Sequence, residues 1–304
     1  MDTPVRTITS ETFINSAAVS NNIAVVGSEM NNANEGVHTF DLTTGQLLQT
    51  LRGQGNNSPV AVALSPNGQL AVASTQVSRA VLWNASTGSL IKSAPAEGVA
   101  TDTNGRVAFS PDGQLILAAF FADLVIFDTA LGQKSKFRIH NDGGTLFAIA
   151  SSPEGRFMAA GYVRFDSGND LVIYDLVSGQ PKLTLVTNKG DGVTCVAWTG
   201  NNIITGSGDG SIKLWDAQSG AMVSRPFPKH PKPVKALAVS SDGRLALSGS
   251  DDSTMKVIEV STGKELHSFN HGDRQVEAVA FASNSKIAVS GGGKTLKLWD
   301  LTGL

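Results

Sequence analysis

A nine-residue phrase, IKLWDAQSG at residues 212–220, recurs in altered form along the whole chain, and this periodicity constrains the fold more than any other feature. The phrase reads as a strand, an acidic residue and a short turn closed by glycine. Asp216 can accept hydrogen bonds from the turn amides, and Gly220 can take a positive φ without strain. Trp215 is a large apolar body with one N–H that needs a partner. The bulky residue and its acid or amide neighbour return as Phe40-Asp41, Trp83-Asn84, Phe127-Asp128, Tyr174-Asp175, Trp215-Asp216, Ile258-Glu259 and Trp299-Asp300. Successive acids or amides lie 43, 44, 47, 41, 43 and 41 residues apart. Glycine closes each turn, at Gly45, Gly88, Gly132, Gly179, Gly220, Gly263 and, one residue earlier, Gly303. A second marker falls between these turns: Ser65-Pro66-Asn67-Gly68, Ser110-Pro111-Asp112-Gly113, Ser152-Pro153-Glu154-Gly155 and, without proline, Ser240-Ser241-Asp242-Gly243. Proline at the second position and glycine at the fourth suit a type I turn.

With these two markers in place, the chain resembles the WD-repeat β-propellers. The endings KLWDAQSG and KLWDLTG and the turns TGSGDG (205–210) and SGSDD (248–252) carry the likeness, which covers essentially all of residues 1–304. The resemblance implies an all-β fold: a seven-bladed β-propeller with four antiparallel strands per blade, in one domain. It implies little about function, because members of one fold family do unrelated work through sites grafted on the fold.

Each repeat divides into four strands, a to d from the axis outward. Strand a precedes the Ser-Pro-x-Gly turn, b follows it, c ends at the acid, and d follows the glycine. AVALS, VAFS, FAIAS, VAW, ALAVS and AVAFA are six copies of strand a. In blade 7 strand c ends at Asp300 and the chain at Leu304, which leaves no room for a strand d. The segment VRTIT at 5–9 has no sheet of its own, so it is expected to complete blade 7 and close the ring. Closure removes the edge that an unfinished blade would offer to other chains.

Some members of the family carry a buried His–Ser–Asp–aromatic hydrogen-bond network within a blade. The resemblance places no complete copy here. Blade 5 has Ser207, Asp209 and Trp215, with Lys189 where the histidine would stand. Blade 6 has His230, Ser250 and Asp252, with Ile258 in place of the aromatic. Blade 7 has Trp299 but no aspartate in its GGGK turn, and its His271 is one position out of register.

The chemistry-bearing residues are sparse. His38 falls in strand c of blade 1 and His267 in strand d of blade 6; His140, His230 and His271 fall on d–a loops. No H-x-x-x-H or C-x-x-C spacing occurs, so no metal ligation is expected. The single Cys195 lies in an inner strand as a small core residue. No G-x-S-x-G elbow occurs, and the glycine-rich stretches GSGDG and SGGGK (with Lys294) sit at b–c turns rather than opening a helix, so neither a serine hydrolase nor a phosphate-binding loop is expected. The net charge of −2 gives no electrostatic footprint for nucleic acid or an anionic membrane. The absence of an apolar leader or a long apolar run, together with one cysteine, suits a cytoplasmic monomer.

The loops remain. The d–a and b–c loops emerge on one face of the ring, the top. The b–c loop SEMNNANEG (28–36) reads as solvated and acidic. The b–c loop YVRFDSGND (162–170) supplies Tyr162, Arg164 and Phe165, and the d–a loop RPFPKHPKP (225–233) supplies Phe227, Lys229, His230 and Lys232, with Lys189 between them. Aromatic and arginine residues are enriched at interface hot spots. The sequence therefore points to a non-catalytic scaffold that binds a protein or peptide partner, of acidic character, on a sector over blades 4–6. The competing account has Phe165 and Phe227 folded inward as loop anchors below a solvated rim. A second function class is a small-ligand or metal site, with hydrolytic chemistry, at the mouth of the central channel; the apolar inner strands argue against it. A third is one domain of a larger chain, acting as a sensor or adaptor.

Overall fold

The computed structural model describes residues 3–28, 36–52, 58–97, 105–120, 123–139, 145–163, 171–185, 192–223, 225–272, 274–282 and 285–304. The two turn markers form as their chemistry dictates. At the c–d turn of blade 5, Asp216 Oδ1 accepts from the amides of Gln218 and Ser219 at 3.1 and 2.7 Å, and Gly220 closes the turn at φ 75°. At the a–b turns the decisive residue is serine, not proline. The buried hydroxyls of Ser65, Ser110, Ser152 and Ser240 each accept from a backbone amide five residues on, all at 2.9 Å. Ser240, which lacks the following proline, makes the same bond as the others.

The strands between these turns gather into seven antiparallel sheets. Blade 1 spans residues 14–51, blade 2 59–95, blade 3 106–138, blade 4 145–185, blade 5 193–216 and blade 6 234–270, and blade 7 joins 278–300 to 6–9. Each apolar cluster is shared between neighbouring blades: Trp83 of blade 2 packs with Val25 and Leu51 of blade 1, and Trp299 of blade 7 with Phe269 of blade 6. Polar side chains add lateral ties at the outer rim. Arg6, Gln49 and Lys92, all in strand d, each donate to a carbonyl in the next blade's c–d turn, at Thr44, Ser86 and Leu131.

The expected closure is present. Arg6–Thr9 pairs antiparallel with Thr295–Asp300, from Arg6 opposite Leu298 to Thr9 opposite Thr295. Ile8 is buried among Leu296, Leu298 and, from blade 1, Phe40. The opening strand thereby bonds one blade and packs against the next.

Blade 5 departs from the four-strand pattern. Among the described residues its sheet has three strands, and an isolated bridge between Trp215 and Met222 stands in the place of strand d. Pro226 and Pro228 explain this: neither has an N–H to extend a ladder. Phe227, between them, packs inward on Ile204, Ile212 and Val234.

Removing the closing strand should therefore weaken the whole ring. Deletion of residues 1–9 is expected to lower the melting temperature, and Ile8→Ala to cost about 2–5 kcal/mol in urea unfolding, as for other buried apolar truncations. An unchanged midpoint in both would contradict closure by this strand.

Candidate functional site

The loops proposed from the sequence divide once placed. Tyr162 is fully buried, its hydroxyl 3.3 Å from both Ile139 O and Tyr174 Oη. It belongs to the interior of strand b, Phe157–Val163, and has no exposed surface for a partner. His230 is also fully buried, so it too leaves the docking set. Lys229 and Lys232, on either side of it, are exposed, and Lys229 pairs with Asp209 at 3.2 Å. Phe227 is the inward anchor of the competing account. Arg164, Phe165, Lys189 and His140 lie outside the described residues.

His230 serves as a post for this loop. Its Nδ1 lies 2.7 Å from Asp252 Oδ2 and its Nε2 2.8 Å from Ser248 Oγ. The sequence reading assigned Ser250 to this network; the residue is Ser248, because the ring reaches two positions further down strand b, and Ser250 instead donates to Lys232 O. Burial lowers the His230 pKa despite Asp252 beside it. Burial opposes ionisation of Asp252, but hydrogen bonds from Thr254 and His230 outweigh it and hold that carboxyl below its usual range. The neutral imidazole thus donates from Nδ1 to Asp252 and accepts the Ser248 proton at Nε2. This is the arrangement of a hydrolytic triad, but Ser248 and His230 are both 0% exposed, so no substrate atom can reach the hydroxyl.

Blade 7 corrects a second reading. His271 does engage, its Nδ1 2.8 Å from Ser290 Oγ, and Trp299 Nε1 donates to the same hydroxyl at 2.8 Å. Gly272, at φ 110°, supplies the backbone freedom beside the displaced histidine. Blade 7 has the aromatic without the aspartate, and blade 6 the aspartate without the aromatic. In blade 5 Trp215 Nε1 donates to Thr205 Oγ1 at 2.9 Å.

At the axis a cavity of about 350 Å³ opens toward the top face. One residue near the start of each strand a lines it: Asn15, Val60, Arg106, Phe147, Thr194, Lys235 and Glu277, in blade order. Five of the seven are polar or charged, so the inner wall is less apolar than the sequence reading held. Cys195 borders the same cavity, with its thiol pushed up to about 12 by burial. Among the described residues no group of three or more His, Cys, Asp or Glu side chains is placed to hold a metal ion. Five large apolar side chains also stand exposed on the outer rim at the start of strand d in three consecutive blades: Val5 in blade 7, Leu47 and Leu48 in blade 1, and Leu90 and Ile91 in blade 2.

Comparison with known proteins accords with this architecture. The family model described as NUP159/214 beta propeller matches residues 55–239, and that described as WD domain, G-beta repeat matches residues 222–259 and 263–300. The chain belongs to the WD-repeat β-propellers. A guanine nucleotide-binding protein subunit beta of Arabidopsis thaliana is 25% identical over 293 residues, covering 86% of this propeller and 73% of the relative. A U3 small nucleolar RNA-associated protein 15 homolog of Xenopus laevis is 30% identical over 151 residues, covering 49% of the propeller and 28% of the relative. The propeller thus spans little more than a quarter of that relative's length. A chain in a crystal structure of the mitotic checkpoint complex superposes with a TM-score of 0.82 at 18% identity, covering 99% of the propeller and 92% of that chain, which speaks to fold alone.

Two measurements check the buried groups. Burial lowers the His271 pKa from 6.5 to about 4, against a raising hydrogen bond to Gly292 O. The unfolded chain therefore takes up a proton before the folded one as pH falls. His271 leaves stability intact above pH 6.5 and erodes it between 6.5 and 4, by about 2 kcal/mol at pH 5. Urea midpoints at pH 7.5 and 5 should differ accordingly, and the difference should shrink in His271→Gln. Cys195 should resist iodoacetamide in the native propeller and react after unfolding; prompt native labelling would show the thiol to be accessible.

Proposed function

We propose that this propeller is a non-catalytic interaction scaffold that holds a protein partner on its top face, over blades 4–6. One observation carries the reading: the Pro-rich loop is clamped from below by His230, which leaves Lys229 and Lys232 exposed on a fixed backbone. The His230 amide donates to Gly210 O, and a Cβ on Gly210 would collide with His230 O, so the loop lies flat on the neighbouring turn. Four prolines further restrict it. A preorganised loop loses little conformational freedom on binding.

The loop's charge favours an acidic partner segment, and Arg164, Phe165 and Lys189 are the further candidates that the sequence offers. The printed description of one relative, a guanine nucleotide-binding protein subunit beta, supports a scaffold in a coarser sense. The sealed Ser248–His230–Asp252 constellation supports a role without catalysis. A cytoplasmic setting fits this reading. The apolar rim of blades 7, 1 and 2 supports a second reading, in which the partner grips the outer wall, since contiguous exposed apolar residues mark interaction surfaces.

Affinity purification from the native cell separates these. Arg164→Glu plus Lys232→Glu should reduce recovery of the partner about tenfold or more, while Leu48→Glu plus Ile91→Glu should leave it unchanged. The reverse result would move the contact to the rim, and no loss with either pair would remove both surfaces.

A further inference from the structure

The outer rim carries four aliphatic side chains that packing within the ring does not explain. Strand d begins with a β-bulge in blades 1 and 2. Leu48 falls between the pairs Phe40–Leu47 and Thr39–Gln49, and Ile91 between Trp83–Leu90 and Leu82–Lys92, so neither is matched across the ladder. A bulge sets two residues against one and turns side chains out of the regular alternation. Leu47 and Leu48 are 52% and 37% exposed, and Leu90 and Ile91 47% and 46%. The same two positions hold Gln133-Lys134 in blade 3 and Pro181-Lys182 in blade 4, all exposed. In blade 6 they hold Glu265-Leu266, where the leucine packs on the core. The place therefore faces water by default, yet blades 1 and 2 each put two aliphatic residues there. The two blades also touch at this level. Gln49 Nε2 donates to Ser86 O at 3.1 Å, and a Cβ on Gly88 would lie 2.8 Å from Gln49 Oε1. Leu48 adjoins Gln49 and Leu90 follows closely on Gly88, so the two pairs border one seam.

We propose that this patch is a self-association surface, through which two copies of the chain form a reversible dimer about a two-fold axis passing between blades 1 and 2. The proposal does not rest on the scaffold reading, and it gives the rim a different occupant from the one weighed there. Charge selects the occupant. From Leu42 to Leu51 and from Asn84 to Ile91 the sequence has no charged residue, and the flanking Arg6 and Lys92 donate to the carbonyls of Thr44 and Leu131. A neutral apolar surface gives a charged partner nothing to pair with. Across a two-fold axis it meets its own image with no like charges opposed. The same contact through strand d of blade 3, with Lys134, Lys136 and Arg138, would set cations against cations. Area sets the strength. The four residues together expose roughly 300 Å², enough to mark an interaction surface. An interface is about 57% apolar, so with the polar groups of the adjoining turns each copy contributes roughly 500–600 Å². Two copies then bury roughly 1,100 Å², the size of an exchanging contact rather than a permanent one. The expected dissociation constant is on the order of tens of micromolar.

Sedimentation velocity of the full chain, from about 2 to about 300 μM, tests the dimer. The weight-average sedimentation coefficient should rise with concentration from that of a monomer toward that of a dimer. Leu48→Lys plus Ile91→Lys installs the residue that blades 3 and 4 carry at the same place, so the fold tolerates it. It should raise the dissociation constant about tenfold or more by opposing cations across the axis. Chains with Leu48→Glu plus Ile91→Glu, mixed with the lysine chains, should form a one-to-one dimer at concentrations where each alone is monomeric. Val177→Lys, at a residue 82% exposed on the c–d turn of blade 4, should leave the dimer unchanged. A chain that stays monomeric throughout, or a dimer that the lysine pair leaves intact, would overturn the proposal. Either result leaves the top-face reading standing. Arg164→Glu plus Lys232→Glu, which tests that reading, should in turn leave the sedimentation of the chain unchanged.

Discussion

The pairing of Arg6–Thr9 with Thr295–Asp300 is the contact on which the rest of the ring depends. A propeller blade has two apolar faces, and each needs a neighbouring blade to cover it. Six of the seven blade–blade interfaces join sequence neighbours, but blades 7 and 1 must meet across the full length of the chain. The opening strand makes that meeting compulsory, since it is hydrogen-bonded into blade 7 while the chain that follows it enters blade 1. Ile8 extends the same logic to packing, lying among residues of both blades. The lateral bond from Arg6 to Thr44 O then repeats across the closure what Gln49 and Lys92 do between blades 1, 2 and 3.

Much of this was legible because the turns are chemical statements. A serine five residues ahead of a strand amide, or an aspartate two or three residues ahead of turn amides, needs only local chain to make its bond. The readings that changed depend on distances between strands. His271 looked out of register by counting, yet a glycine beside it lets the ring reach Ser290. Ser250 looked like the partner of His230 by counting, yet the ring extends to Ser248. Tyr162 looked like a loop residue because the expected b–c loop began there; its strand runs two residues further, to Val163. The missing fourth strand of blade 5 could have been read from Pro226 and Pro228.

The channel ring was missed for a similar reason. The apolar runs taken as inner strands begin at Ala61, Val107, Ala236 and Ala278, and the residues just before them are Val60, Arg106, Lys235 and Glu277. Apolar patterning finds the part of strand a that packs between blades. It passes over the residue at the start of each strand, beside the cavity mouth, which lies outside the apolar run and can be polar. A ring of such positions is visible in sequence only once the blades are superimposed.

The two faces of the ring also differ in what their polar groups have left to offer. On the bottom, the carboxylates are occupied by their own turns. Asp216 is held below its usual pKa by the Ser219 hydroxyl and then by turn amides, Asp41 by the Thr44 amide, and Asp128, lowered to about 2, by Lys134 and the Gly132 amide. Asp112 and Asp242 are held in the same way by Ser110 and Ser240. A group whose lone pairs are already committed must give up bonds to engage a partner. On the top, the committed groups are buried one layer down, at His230, Ser248, His271 and Ser290, and their bonds stiffen the loops above them. Lys229 and Lys232 stand over that layer. The donors and acceptors that make the bottom self-sufficient are matched, on the top, by buried groups that hold the described loops of blades 6 and 7 from beneath.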